Sequence, residues 1–320
     1  MLTIVTDEPR NAEPSMEDLR PAITPAFFQR NHYAYPAPHD RLTVLDRSFT
    51  LEQLRGLGTV QREVTLECAG NGRKHMSPQP EGTPWGWGAV SNALWTGVPL
   101  ARVLEQVRLP EDTRELVFQG GDGEFARSLP LEEALRPEVL LAVERNGRPL
   151  CQAHGGPLRL LVPGWYAMAS VKWLTDIQAS AQAFDGHYQV NDYLFLPEDG
   201  PNRCVTRAQP RAMITSPCQG DTLRDAVLVQ GWAWSGFAPI EAVEVRVDDR
   251  CLMAQLEEDR GAFAWRGFSA RLELAAGKHR LTALARDAQG NQQPLVAPWN
   301  RAGYENNSAM WLDITVLSAE

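Results

Sequence analysis

A buried strand that ends abruptly in a tight loop constrains the fold of this chain more than any other stretch. Residues 64–73 read Val-Thr-Leu-Glu-Cys-Ala-Gly-Asn-Gly-Arg, and the first four favour a β-strand. Glycine and asparagine tolerate positive φ, so the residues that follow can turn sharply and approach a ligand closely. Cys68 therefore stands at the end of a strand, with Arg73 placed to favour its thiolate. A cysteine in this setting can equally be a small buried apolar residue, and both interpretations stay open here.

Composition and charge exclude several classes of protein. The 320 residues are enough for two domains, and 43% hydrophobic with 22% charged residues can bury a globular core. A net charge of −9 without a basic run argues against nucleic-acid or anionic-membrane partners. The five cysteines form no Cys-x-x-Cys pair, which argues against structural zinc, and a Cys204–Cys218 disulfide stays open.

The N-terminal residues carry no targeting signal. Residues 1–20 are acidic and polar, without a basic start, an apolar core or twin arginines, and no apolar run is long enough to cross a bilayer. The sequence as written predicts a cytoplasmic protein, or a periplasmic one if a leader was removed.

Strand and helix patterns divide the chain into three parts. Residues 1–24 predict an extended or poorly ordered arm. Residues 25–210 mix short strands and short helices without a βαβ repeat, which is typical of an α+β domain. Residues 211–320 contain short strands, and valines alternate with charged residues at 243–247, which predicts an immunoglobulin-like β-sandwich. Further local predictions are strands at 64–67, 158–162 and 170–174 and helices at 51–57, 98–107 and 131–135.

The polar side chains of residues 25–210 combine one thiol with several cations. Singly, each has an ordinary explanation: Lys172 can extend its ammonium to solvent, His154 can be a core histidine, Arg159 can pair with a carboxylate, and Tyr193 can pack at the domain boundary. Together they suit a soft metal beside an anionic cofactor and an oxyanion substrate. No Gly-x-Gly-x-x-Gly or Walker A loop appears, which argues against Rossmann and P-loop nucleotide sites.

A set of short motifs stands out along the chain. In order they are Arg30-Asn31-His32, Cys68-Ala-Gly-Asn, Trp85-x-Trp-Gly-Ala-Val-Ser, His154-Gly-x-Pro-x-Arg159, Val162-Pro-Gly, Val171-Lys-Trp-Leu and Asp192-Tyr193. This ordered set resembles the sulfite oxidase family from about residue 25 onwards. The resemblance implies a molybdopterin-binding domain at 25–210, an immunoglobulin-like dimerisation domain at 211–320, a molybdenum-molybdopterin cofactor and a homodimer.

The resemblance also implies a role for each matching residue. Cys68 is the expected thiolate ligand of molybdenum. The residues expected to hold the pterin and its phosphate are Phe28, Gln29, Arg30, Asn31, His32, Cys68, Asp122, His154, Arg159, Ser170, Val171 and Lys172. The residues expected to line the substrate pocket are Arg30, Arg73, Trp85, Asp192 and Tyr193, with Tyr193 placed to hydrogen-bond near the metal.

The implied activity is oxidation of sulfite to sulfate by oxygen-atom transfer. Because no Cys-x-x-Cys-His haem motif is present, the electrons are expected to pass to a separate acceptor such as a cytochrome. Two positions depart from the family, since Gly72 and Ala302 stand where it carries arginine, and Arg301 lies one residue before the second of them. A related molybdenum reductase acting on nitrate or an S- or N-oxide is therefore the alternative. A third hypothesis is a carbohydrate- or protein-binding module without molybdenum.

Overall fold

Short strands make up most of the regular secondary structure. The computed structural model describes residues 2–224 and 226–318. The strands up to residue 210 are β1 (Leu2–Thr6), β2 (Asn11–Pro14), β3 (Arg41–Val44), β4 (Arg47–Thr50), β5 (Val60–Glu67), β6 (Val90–Pro99), β7 (Glu115–Gly120), β8 (Ala126–Pro130), β9 (Leu140–Arg145), β10 (Arg148–Pro149), β11 (Arg159–Leu161), β12 (Leu174–Ser180), β13 (Leu194–Phe195) and β14 (Arg203–Cys204). The helices are α1 (Leu51–Gly56), α2 (Leu100–Leu104), α3 (Leu131–Ala134) and α4 (His187–Val190), with single 3-10 turns at Arg73–His75, Gln152–His154 and Ala167–Ala169.

Two sheets build the part of the chain that carries the predicted site. One has the order β10-β9-β6-β5, with β11 also paired to β9, and the other has the order β4-β3-β12-β7-β8. Strands β5 and β6 pair antiparallel from Val60 opposite Gly97 to Glu67 opposite Val90. Cys68 follows directly at the end of this ladder. The apolar side chains of both sheets meet in one core that includes Leu42, Leu116, Leu141, Leu160 and Ile177.

Two predictions in this part need correction. The helix expected at 98–107 is confirmed only as α2, a short helix at Leu100–Leu104, because Val98 and Pro99 end β6 and pair with β9. The strand expected at 170–174 is a turn up to Trp173, whose φ is 51°, and the strand begins at Leu174. The helix predicted at 51–57 is confirmed as α1, with a complete Thr50–Gln53 capping box.

The N-terminal arm is extended in part, as predicted, but the expectation of poor order is wrong. β1 and β2 form an antiparallel hairpin. Leu19 is fully buried, and its carbonyl accepts a hydrogen bond of 2.8 Å from the indole of Trp232. Trp265 donates in the same way to the carbonyl of Ala22 at 2.8 Å. The arm is thus anchored on the C-terminal part of the molecule.

Two further sheets form from residue 211 onwards. The strands are β15 (Arg211–Ser216), β16 (Thr222–Arg224), β17 (Val227–Trp234), β18 (Ile240–Val247), β19 (Arg250–Met253), β20 (Gln255–Leu256), β21 (Arg266–Leu272), β22 (Gly277–Asp287) and β23 (Leu312–Leu317). They are ordered β15-β17-β21-β20 and β16-β23-β22-β18-β19. Val243, Val245 and Val247 all point into the shared core, as their alternation predicts.

All five cysteines are free, so the Cys204–Cys218 disulfide that the sequence left open does not form.

Within the described ranges, no helix has the length and apolar character needed to cross a bilayer.

Candidate functional site

Two cavities meet at Cys68. We call them the inner and the outer cavity, with empty volumes of about 700 and 1580 Å³, and both are lined by Arg30, His32, Cys68 and Tyr193. The other residues of the inner cavity are Phe27, Phe28, Asn31, Ala69, Asp122, Phe125, His154, Arg159, Ala167, Met168, Ser170, Lys172 and Trp173. The other residues of the outer cavity are Arg73, Gln79, Pro80, Glu81, Gly82, Thr83, Trp85, Asn191, Asp192, Leu194, Leu196, Trp299, Arg301, Ala302 and Tyr304.

The loop after β5 holds Cys68 rigidly between the cavities. The Cys68 amide donates to the Ala89 carbonyl at 2.8 Å, and the Cys68 carbonyl accepts from the Asn71 amide at 2.9 Å. The buried Asn71 side chain donates to Glu67 Oε1 at 2.9 Å and accepts from the Ala89 amide at 3.1 Å. A short amide side chain that bonds both strand ends fixes the turn, which explains Ala-Gly-Asn after the cysteine.

Arg30, and not Arg73, is the main cation acting on the Cys68 thiol. Burial is the largest influence and raises the pKa of Cys68, while Arg30 lowers it and Arg73 lowers it less. Arg73 is committed to structure: its Nε donates to the Ala302 carbonyl at 3.1 Å and its Nη1 to the Thr83 carbonyl at 2.9 Å. The guanidinium also lies 4.9 Å from the ring centre of Tyr304. It thereby joins two loops that border the outer cavity.

Packing explains the glycine at position 72. Gly72 has φ of 83°, and a Cβ there would lie 2.4 Å from Cζ3 of Trp87. The indole is held in place by His75, which stacks on it with ring centres 4.4 Å apart. An arginine at position 72 would therefore have to displace this stack and adopt an unfavourable backbone conformation.

The cations of the inner cavity are held by neutral acceptors. Arg159 donates to the carbonyls of His154 and Ser170 at 2.9 and 2.8 Å, and Lys172 Nζ donates to Asn31 Oδ1 at 2.6 Å and to the Ala153 carbonyl at 3.0 Å.

These cations form no ion pair within the described residues, since none of the ion pairs there involves Arg30, Arg159 or Lys172. Burial, followed by the charges of Arg159 and Arg30, moves the pKa of Lys172 well below its ordinary value, and burial lowers the pKa of Arg159 to about 9. Asp122 lines the same cavity and its charge partly offsets this effect on Lys172. Three cations beside one carboxylate leave the lining positively charged, which favours an anionic ligand. The cavity therefore fits a ligand with a phosphate at one end and a metal near Cys68.

A hydrogen-bonded chain runs from Arg30 through His32 to Tyr193. Arg30 Nη2 lies 3.1 Å from His32 Nδ1, and His32 Nε2 lies 2.7 Å from the Tyr193 hydroxyl. Burial, with a further contribution from Arg30, lowers the pKa of His32 to about 3. Burial also raises the pKa of Tyr193, so its phenol keeps its proton. The Tyr193 ring stacks on Tyr304 with ring centres 5.2 Å apart.

The structure brings most of the predicted site residues together. The inner cavity contains Phe28, Arg30, Asn31, His32, Cys68, Asp122, His154, Arg159, Ser170 and Lys172, and the outer cavity contains Arg30, Arg73, Trp85, Asp192 and Tyr193. Gln29 and Val171 line neither cavity. The backbone of Gln29 pairs with Ala12 at 2.8 and 3.0 Å, and Val171 packs in the core between the sheets.

Sequence reasoning missed several residues that shape the site. Asn11 on β2 accepts from the Asn31 amide at 2.8 Å and from Arg30 Nη1 at 3.5 Å, so the arm supports the segment that lines both cavities. No local signal in the arm points to this contact. Tyr304 could have been found, because it lies two residues after Ala302, one of the two positions that depart from the family.

A buried ion pair ties the Cys68 loop to the C-terminal sheets. Glu67 pairs with Arg211, and both side chains are almost fully buried. Trp234 Nε1 donates to the second oxygen of Glu67 at 2.8 Å, and Arg211 also donates to the Asn306 carbonyl. The residue before Cys68 is thus fixed by β15 and β17.

Comparisons with known proteins identify the family of this chain. Residues 40–188 match the family model of the oxidoreductase molybdopterin binding domain. Sulfite oxidase of Arabidopsis thaliana is 30% identical over 362 residues, which cover 96% of this chain and 92% of that protein. The chain belongs to the sulfite oxidase family. Its cofactor is molybdenum-molybdopterin.

Two further comparisons extend over nearly the whole chain. Mitochondrial sulfite oxidase of Mus musculus is 35% identical over 350 residues, covering 96% of this chain and 64% of that protein, so the chain spans about two-thirds of that relative's length. The solved structure of the sulfane dehydrogenase SoxCD from Paracoccus pantotrophus matches with a TM-score of 0.86 and 26% identity, over 95% of this chain and 84% of that one. The molybdopterin-binding oxidoreductase fold therefore extends over nearly the whole chain.

Proposed function

We propose that this protein oxidises sulfite to sulfate in the outer cavity and passes the electrons to a separate acceptor such as a cytochrome. The observation that carries the proposal is the meeting of the two cavities at Cys68 and Tyr193. A cofactor in the inner cavity would present its reactive end there, where a small anion entering from the outer cavity can reach it. Membership of the sulfite oxidase family supports this reaction class.

The inner cavity would hold the cofactor through two kinds of contact. Cys68 would supply a soft thiolate to the metal. Arg159, Lys172 and His154 would surround the phosphate end, where charge-assisted hydrogen bonds to a dianion are strong. When bound, the cofactor supplies the oxygen-atom transfer chemistry and takes up the electrons.

The outer cavity would bind and orient the oxyanion. Arg30 reaches both cavities, and Arg73 has no acceptor for its Nη2 among the described residues. Arg301 is exposed at the rim and adds a third positive charge. Cations that converge on the point of reaction raise the local concentration of an anion and hold it in position. Tyr193 would donate a hydrogen bond beside the metal.

The alternative is a molybdenum reductase acting on nitrate or an S- or N-oxide. Ala302 favours it, because this position borders the outer cavity without a cation. Arg301, one residue earlier, anchors its backbone amide on the Leu196 carbonyl at 2.9 Å and remains available to the cavity.

Sulfite-dependent reduction of ferricyanide by protein shown to contain molybdenum tests the proposal. Turnover with sulfite is expected, and the same preparation with a reduced dye should not turn over nitrate or S- and N-oxides. Turnover of nitrate or of an S- or N-oxide, without turnover of sulfite, in fully loaded protein would refute sulfite oxidation and support the reductase alternative.

We also propose that residues 211–320 form an immunoglobulin-like sandwich that mediates a homodimer. Met253, Leu295 and Val296 are exposed apolar residues on this part of the molecule, at 60%, 41% and 79%. Sedimentation of the protein at micromolar concentration is expected to give a dimer, and Met253→Glu with Leu295→Glu should give a monomer. Sedimentation of the unchanged chain as a monomer would refute the dimer.

A further inference from the structure

The chain Arg30–His32–Tyr193 determines where the hydrogen atoms lie. A guanidinium group has only donors, so Arg30 Nη2 donates to His32 Nδ1 across their 3.1 Å contact. That nitrogen must then carry a lone pair and no hydrogen. In a neutral imidazole the other nitrogen carries the hydrogen, so His32 Nε2 donates to the Tyr193 hydroxyl across 2.7 Å.

The hydroxyl of Tyr193 is therefore an acceptor towards His32. Its own hydrogen remains available, because no other described side chain or carbonyl hydrogen-bonds to that hydroxyl. Tyr193 lines both cavities beside Cys68, so this hydrogen can be presented at the point where they meet.

We propose that His32 is a positioning residue that fixes Tyr193 as a hydrogen-bond donor at the junction of the two cavities. The opposite tautomer would place two hydrogens between Arg30 and His32 and would turn the Tyr193 hydrogen towards the histidine. Tyr193 would then present only lone pairs at the junction, and these would repel an anionic substrate.

The surroundings of both rings support this direction. His32 stays neutral because burial and the charges of Arg30 and Lys172 oppose its protonation, so Nδ1 keeps its lone pair. The Tyr193 ring stacks on Tyr304, with ring centres 5.2 Å apart, and the guanidinium of Arg127 lies 5.8 Å from the centre of the Tyr193 ring. With the ring fixed, the rotation of the hydroxyl hydrogen is the remaining freedom, and His32 determines it.

Nitrogen-15 NMR of histidine-labelled protein tests the tautomer without any enzyme assay. The His32 signals are assigned as those that disappear in His32→Gln, and spectra are taken with and without bound cofactor. We expect Nδ1 to have the shift of an unprotonated nitrogen and Nε2 that of a protonated one. A protonated Nδ1 in the cofactor-loaded protein would overturn the inference, whatever substrate the protein uses.

A pair of variants tests the consequence for Tyr193. This second experiment rests on the proposed sulfite oxidation. In His32→Gln the amide can accept from Arg30 and donate to Tyr193, whereas His32→Leu can do neither. With molybdenum content measured and normalised, we expect kcat of His32→Gln to exceed that of His32→Leu by about tenfold, the effect of roughly one hydrogen bond to a charged group.

This kinetic experiment has its own control for an indirect structural effect. In a Tyr193→Phe background, the ratio between His32→Gln and His32→Leu should fall to about one, because no hydroxyl remains to be directed. A ratio that stays near tenfold in that background would show that His32 does not act through Tyr193. Equal kcat of the two variants in the Tyr193 background would also contradict the proposal. Absence of sulfite turnover in the unchanged, molybdenum-loaded protein would instead refute the proposed function and leave the NMR result standing.

Discussion

The inner and outer cavities share four residues but are built in different ways. In the inner cavity, the cations are fixed by carbonyl and amide oxygens, as Lys172 is by Asn31 and Ala153. In the outer cavity, Arg301 is exposed at the rim, and the acidic side chains Glu81 and Asp192 stand near the cations. A site with preformed contacts suits a ligand that stays bound, and a more exposed site suits a ligand that exchanges.

This difference separates two kinds of experimental effect. Changes at the inner cavity should remove the cofactor or destabilise the fold, because its residues carry hydrogen bonds that the surrounding structure needs. Changes at the exposed rim of the outer cavity, such as Arg301, should leave both intact and alter only the use of the substrate. Four predictions test this contrast, and they are given in order from the largest expected effect to the smallest.

Cys68→Ser should abolish molybdenum binding while the protein still folds. Serine is similar in size but offers a hard hydroxyl in place of a soft thiolate. Metal analysis of purified protein should give a molybdenum content near background, with an unchanged circular dichroism spectrum. The exposed Cys251, replaced by serine, is the matched control and should leave the content unchanged. Full molybdenum content and turnover in Cys68→Ser would remove the basis for calling the inner cavity the cofactor site.

Glu67→Gln should lower the free energy of unfolding by about 3–5 kcal/mol, because it leaves the charge of Arg211 buried without its partner. Urea denaturation followed by tryptophan fluorescence measures this. Glu144→Gln is the control, since Glu144 pairs with Arg55 at the surface, and this change should cost roughly 0–1 kcal/mol. Equal effects of the two changes would show that the Cys68 loop does not depend on the C-terminal sheets.

The histidines of the inner cavity should make the cofactor-free protein sensitive to acid. Burial lowers the pKa of His32 and of His154 to about 3 in the folded protein, whereas an unfolded histidine titrates near about 6.5. Between these values the unfolded chain binds more protons, so the free energy of unfolding falls as pH falls from about 6.5 towards 3.

The expected loss between about pH 7.5 and 5.5 is roughly 1.4 kcal/mol per histidine, or about 3 kcal/mol for both. Urea midpoints at the two pH values measure it. Replacing His154 by asparagine should reduce the loss by about half, and His187→Gln, at an exposed position, should not change it. A loss that His154→Asn leaves unchanged would show that His154 is not held neutral.

Arg301→Met should have the smallest effect, a rise of a few-fold in KM for sulfite with kcat unchanged. The side chain is exposed, so water screens its charge and added salt should shrink the difference further. Steady-state kinetics at low and high ionic strength measure both. Gln79→Met, at another exposed position on the same cavity, should leave KM nearly unchanged. A tenfold loss of kcat in Arg301→Met would place this arginine at the reacting atoms instead of the rim.

The sequence predicted those features of the site that depend on short stretches. The strand before Cys68, the turn after it and the capped helix α1 all formed as expected, because each is decided by neighbouring residues. The grouping of Arg30, Arg159 and Lys172 followed from the family resemblance, which encodes spatial contacts that a single sequence does not display.

Features that depend on distant contacts were missed. The helix expected at 98–107 begins two residues late, because Val98 and Pro99 pair with Leu141 and Leu140 of β9. The turn at Trp173 arises where its indole donates to the Gln152 carbonyl at 2.8 Å, a partner 21 residues away. Asn11 supports Arg30 and Asn31 from an arm whose composition gives no sign of it.

The most direct test compares Lys172→Met with Arg301→Met for molybdenum per chain and for KM with sulfite. We expect Lys172→Met to lose most of its molybdenum, while the loaded fraction keeps the original KM. We expect Arg301→Met to keep its molybdenum and to show the raised KM. A fully loaded Lys172→Met with a raised KM, or an Arg301→Met that loses molybdenum, would contradict the division into an inner cavity for the cofactor and an outer cavity for the substrate.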